Sequence, residues 1–146
     1  MGAAIIDWIG AWPGAVLLQR SGTAYLFVNA THILGIGLLL GAILPLDLRL
    51  LGLFRGVPLA VVMPFLIRIA ATGLAIAITA GLWLFSVKPA EYIANEAFLW
   101  KMALLVLALA NIVLQHRLAQ PSRVLAASSI VLWLSVLIAG RWIGFV

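Results

Sequence analysis

The chain contains no cysteine. Disulfides, thiolate metal sites, iron–sulfur clusters and cysteine nucleophiles are therefore excluded, and thiols leave no mark of the redox compartment. Acids are almost as scarce: Asp7, Asp47, Glu91 and Glu96 are the 4 carboxylates among 146 residues. No apolar run holds a carboxylate pair for acid–base chemistry, and Gly-rich phosphate loops and two-histidine zinc spacings are missing too. Glu91 and Glu96 fall in a connection, where solvation accounts for them. Charged residues make up 9% of the chain, and the net charge of +5 is spread thinly. With no basic patch interleaved with aromatics, nucleic-acid binding is not expected. A secretory signal is not expected either: the first residues lack a basic region, carry Asp7 and are broken at Trp12-Pro13-Gly14.

What is abundant is apolar residues, at 66%. A soluble domain of that composition has too few polar side chains to cover its surface. Four stretches reach the ~20 residues that a bilayer-crossing helix needs: 24–44, 59–85, 98–118 and 124–143. Pro45, Gly56-Val57-Pro58, Lys88-Pro89 and Pro121-Ser122 punctuate them, while Pro64 falls inside the second. Asn95 and Ser122 are placed to cap the third and fourth helices. The expectation is an all-α fold, a transmembrane four-helix bundle forming one integral membrane domain over 1–146. Residues 5–20 are expected to lie in the interface, with Trp8 and Trp12 at headgroup level. Small residues recur at four-residue spacing: Gly37 and Gly41, then Gly73, Ala77 and Gly81, then Gly140 and Gly144. Such rows let helices approach closely, and internal packing is expected of them ahead of dimer formation.

Arg49 and Arg55 lie between the first two spans, and Arg117 and Arg123 between the last two; Arg20 and Lys88 lie on the other side. The positive-inside rule puts the arginine loops in the cytoplasm and both termini outside. Within the spans, polar residues sort into two layers. Asp47, Arg49, Arg68 and Asn111, with His116, fall towards the cytoplasm, where Asp47 is expected to pair with Arg49, Arg55 or Arg68 in a structural clasp. Asn29, His32, Lys101 and Arg141 fall in the outer half.

His32 is the leading candidate, because a polar group at that depth needs a partner or a purpose. Asn29 lies three residues earlier on the same helical face. Cations without acids suit an anionic group such as a haem propionate, a lipid phosphate or a carboxylate substrate, or simply reach the headgroups. A neutral imidazole ligates haem iron and several metals, so His32 is a candidate for haem b or a metal. His116 cannot be its second ligand within one chain, because their depths differ by roughly 15 Å at ~1.5 Å per residue. That leaves an open or methionine sixth position, Met102 being nearest in depth, or two His32 residues across a dimer. A hydrogen bond from His32 to a neighbouring helix is the alternative without a ligand.

Asn29-Ala30-Thr31-His32-Ile33-Leu34-Gly35, then Gly41, then Leu46-Asp47-Leu48-Arg49-Leu50-Leu51-Gly52 resemble a family of small bacterial integral membrane proteins defined only as a domain of unknown function. Arg68, Thr72-Gly73, Phe85, Tyr92, Asn95, Phe98, Lys101 and Asn111 extend the resemblance over nearly the whole chain. It implies a four-helix protein of the bacterial inner membrane and no established activity. A histidine-bearing first span followed by an arginine turn is also loosely similar to copper-resistance D-type membrane proteins and membrane cytochromes. Three roles are open: a non-enzymatic subunit whose His32 pocket holds a cofactor such as haem b for electron transfer, a transporter or channel using His32, Lys101 and Arg141 for an ion or small anion, or an accessory subunit without ligand. The partners expected are the bilayer and a second copy or another membrane subunit.

Overall fold

A computed structural model describes residues 1–146. The chain is all-α: α1 (Gly2–Ala11), α2 (Pro13–Arg20), α3 (Gly22–Leu50), α4 (Leu59–Phe85), α5 (Pro89–Ala94), α6 (Glu96–Arg117) and α7 (Arg123–Trp142), followed by a 3-10 turn over Ile143–Phe145. Four segments, Gly22–Leu50, Leu59–Phe85, Glu96–Arg117 and Arg123–Phe145, are long and apolar enough to cross a membrane, which makes this a multi-pass membrane protein. Helices are the form such segments must take, since hydrocarbon offers no water to backbone amides and carbonyls.

The second span has the expected limits, 59–85, with Pro64 inside it. Both proposed caps form: Asn95 Oδ1 accepts from Phe98 N at 3.1 Å, and Ser122 Oγ from Leu125 N at 3.3 Å. The first span is longer than expected. Pro45 does not end it, and the helix runs on to Leu50. Proline inside a helix costs about 3 kcal/mol through its missing amide and ring clash. Burial of Ala42, Ile43 and Leu46 around it offsets that penalty.

The true end of α3 is a Schellman turn. Leu53 N donates to Leu48 O at 3.0 Å and Gly52 N to Arg49 O at 3.1 Å, with Gly52 at φ +106°. The short α5 lies in what reads as a loop. Its signals are Pro89 at its first position and Glu91 in its first turn.

The chain packs as two compact units, residues 1–39 with 71–94 and residues 40–70 with 95–146. In the first, α1 has no buried residue, whereas α2 buries Ala15 and Leu18. Gln19 Nε2 donates to Gly10 O and Val87 O, both at 3.0 Å. Trp83 Nε1 donates to Gly14 O at 2.9 Å, and its ring lies 6.0 Å from that of Trp12. These bonds fasten the amino-terminal helices to the end of α4.

In the second unit α6 and α7 form an antiparallel hairpin. Ala97 and Ala108 on one helix and Ala126, Ser129, Trp133 and Ala139 on the other are its buried positions. Gln115 closes the loop end, donating to Ser122 O and accepting from Ser122 N, both at 3.1 Å.

Candidate functional site

Within the first unit, the earlier part of α3 and the later part of α4 meet along a seam of small residues. A Cβ added at Gly35 would fall 2.5 Å from Ala77 N and 2.8 Å from Gly73 O; one at Gly73 would fall 2.5 Å from Leu39 N and 2.7 Å from Gly35 O. Only hydrogen at these two positions lets the backbones touch. His32 sits on the same seam, where its Nδ1–H donates to Ala77 O at 2.7 Å. A Cβ at Gly81 would stand 3.0 Å from His32 Cε1 and 3.2 Å from Nδ1. Gly81 is therefore the floor on which the imidazole lies. The His-x-x-Gly string reads physically as one histidine bonding across to a carbonyl, followed one turn later by the glycine that brings that carbonyl within reach.

Because a carbonyl oxygen only accepts, the bond places a proton on Nδ1. Asn29, one turn before His32, is half-buried on the same helix. Beside the seam is a groove of about 380 Å³ lined by Val28, Thr31, Ala75, Ile76, Thr79, Ala80 and Trp83. Its two hydroxyls are spent on their own helices: Thr31 Oγ1 donates to Phe27 O and Thr79 Oγ1 to Ala75 O, each at 2.8 Å. The Trp83 indole is likewise bonded to Gly14. The groove thus presents an apolar wall.

Lys101 and Arg141, expected beside His32, belong to the second unit. Lys101 packs over Gly140: a Cβ there would meet Cε at 3.4 Å and Nζ at 3.5 Å. The Arg141 guanidinium lies 5.0 Å from the centre of the Phe145 ring. His116, on the same unit, is exposed and bonds its own helix through Nδ1 and Ile112 O at 2.9 Å.

The polar group around Asp47 is arranged differently from the arginine clasp expected of it. Asp47 is 7% exposed and hydrogen-bonds Ser129 of α7, itself 5% exposed. Arg49 Nε instead donates to Val57 O, and Arg55 Nε to Gly52 O, both at 2.9 Å. Arg68 is exposed on α4 and Asn111 half-buried on α6. Asp47 Oδ2 and Trp133 Nε1 are both buried without a partner. The Asp-x-Arg-x-x-Gly string thus serves three contacts: Asp47 to α7, Arg49 to the following loop, and Gly52 to the turn that ends α3.

Ala77, Gly81, Ser129 and Gly140 complete these sites and were legible only as small residues. Their periodicity marks a close approach but not what approaches. The row Gly37 and Gly41 departs from expectation, since a Cβ at either would meet nothing within 4 Å. Internal packing is carried by Gly35, outside that row.

A family model described as a family of unknown function (DUF6644) matches residues 7–146, and the chain belongs to that family. No curated protein and no solved structure matches it.

Proposed function

From its place in this family of unknown function, we propose that the protein is a non-enzymatic subunit of the bacterial inner membrane, with its arginine-bearing loops in the cytoplasm and both termini outside. The carrying observation is the His32 bond to Ala77 O over Gly81. It spends the imidazole N–H on holding two membrane helices together, and a buried polar contact of that kind fixes register and rotation in a medium without water. The open face of α3 at Gly37 and Gly41 supports a partner role, because small residues without an internal neighbour admit another helix closely. A second copy of the chain or another membrane subunit fits that face.

One observation favours a second reading, in which His32 also holds a cofactor such as haem b for electron transfer. Ligating histidines characteristically donate their other ring nitrogen to a carbonyl or carboxylate, as His32 does to Ala77 O. The fit is partial: the first unit supplies no further histidine and no methionine beyond Met1, while His116 and Met102 lie in the second. Bound haem would supply one-electron transfer, and the role of this chain's residues would be to hold the ring nitrogen in its ligating tautomer.

An absorption spectrum of protein purified in mild detergent from haem-replete cells separates the readings. A colourless protein that co-purifies with a stable partner, and whose His32→Ala variant unfolds more readily, is the expected result. A Soret band abolished by His32→Ala would overturn the ligand-free reading. Because the chain has no cysteine, single cysteines introduced at Gly56 and at Ala90 report the orientation. Labelling at position 90 but not 56 by an impermeant maleimide is expected in intact spheroplasts.

A further inference from the structure

In the second unit, one cation rests beside the residue that precedes another, and neither is paired with an acid. Lys101 follows the buried Ala97 by one turn of α6, so its stem is packed against α7 and its ammonium rests on Gly140. Arg141 is the next residue, its guanidinium over the Phe145 ring in a cation–π contact. Neither has an ion pair. The unit's two side-chain carboxylates, Asp47 and Glu96, are engaged or distant. Asp47 is bonded to Ser129, about 16 Å from Gly140 along α7 at ~1.5 Å per residue. Glu96 lies on another side of α6, in a shallow depression with Leu99, Trp100 and Ala103.

The carbonyls at the end of α7 do not take up the ammonium either. Ile143 N bonds Ala139 O and Arg141 O, and Asn95 Nδ2 reaches Ile143 O and Val146 O at 3.5 Å. The half-buried ammonium therefore has donors to spare. Both stand at the ends of membrane-spanning helices, among the exposed Trp100, Trp142 and Phe145. Such aromatic side chains settle at headgroup level, where the anion within reach is a lipid phosphate.

We propose that Lys101 and Arg141 form a binding site for the phosphodiester of an anionic lipid headgroup. Lys101 supplies a seated point charge and Arg141 supplies two parallel N–H donors. A lone Lys or Arg at a helix end snorkels to headgroups in general. Here the ammonium is seated by packing and the guanidinium is placed over an aromatic ring, which reduces the ordering needed to bind one phosphate.

The test is native mass spectrometry of the full chain released from micelles doped with phosphatidylglycerol, phosphatidylcholine or inorganic phosphate. A preference for phosphatidylglycerol over phosphatidylcholine is expected, weakened about fivefold by each of Lys101→Gln and Arg141→Gln. Lys101→Arg retains it, as does Arg20→Gln in the other unit. Arg141 is exposed, so its variant folds and stands as a test even if Lys101→Gln does not. Equal binding of the two lipids, or a preference untouched by Arg141→Gln, overturns the proposal. Inorganic phosphate displacing phosphatidylglycerol at equal concentration would make this a free-phosphate site and overturn the assignment to lipid.

Discussion

Replacing Gly35 by alanine should be among the most damaging single-methyl changes in the chain, and its size follows from the seam. The new Cβ would fall 2.5 Å from Ala77 N and 2.8 Å from Gly73 O, backbone atoms that no rotamer change can move aside. Relief to ordinary contact requires α3 and α4 to part by roughly 1 Å, and a gap of that size forfeits a quarter to a half of the dispersion well for every atom pair affected. Overpacking of this kind costs about 1–3 kcal/mol. Parting also stretches the 2.7 Å bond from His32 to Ala77 O beyond hydrogen-bond range, losing about 0.5–1.5 kcal/mol more. The expected loss is therefore about 1.5–4.5 kcal/mol. Gly37→Ala, one half-turn along and open to 4 Å, should be neutral or up to about 1 kcal/mol stabilising through helix propensity. Unfolding in mixed dodecylmaltoside–SDS micelles, followed by tryptophan fluorescence, measures both. Equal stability of the two variants would refute the backbone-contact argument. The same assay tests the imidazole's floor by a double-mutant cycle: Gly81→Ala should destabilise the wild type yet be nearly harmless in a His32→Ala background, with a coupling of about 0.5–3 kcal/mol.

Gly52→Ala should cost about 1–2 kcal/mol, because φ +106° is strained for any residue with a Cβ; Gly56→Ala in the same loop, at an ordinary φ, should not. Ser129→Ala removes the hydroxyl that Asp47 meets and leaves a buried carboxyl wholly unpartnered, for a loss of about 1–3 kcal/mol in the same unfolding assay. Burial, then the nearby Tyr25, with which it shares a hydrogen bond, and then Glu91 push the Tyr92 phenol above its ordinary value of 10.0. The fold thus favours the neutral phenol, whose contribution is full below the unfolded tyrosine value and is lost as pH rises through the folded one. With 2 tyrosines in the chain, an alkaline absorbance titration should show a late phase that Tyr92→Phe removes.

The sequence made the class of this protein plain through quantities that need no partner to be read. Runs of apolar residues set the spans, since length and transfer free energy act along one segment. The caps at Asn95 and Ser122 were legible for the same reason: each is a contact across three residues. Pro45 misled because its local cost is visible in sequence, whereas the burial of Ala42, Ile43 and Leu46 that outweighs it is not.

Partners across elements were decided by tertiary structure alone. That His32 meets Ala77, that Asp47 meets Ser129 rather than an arginine, and that Lys101 rests on Gly140 depend on which helix faces which and at what rotation. A small residue records in sequence only that something comes close. Gly35 and Gly37 are indistinguishable there, and 200° of helical rotation separates a backbone contact from an open face.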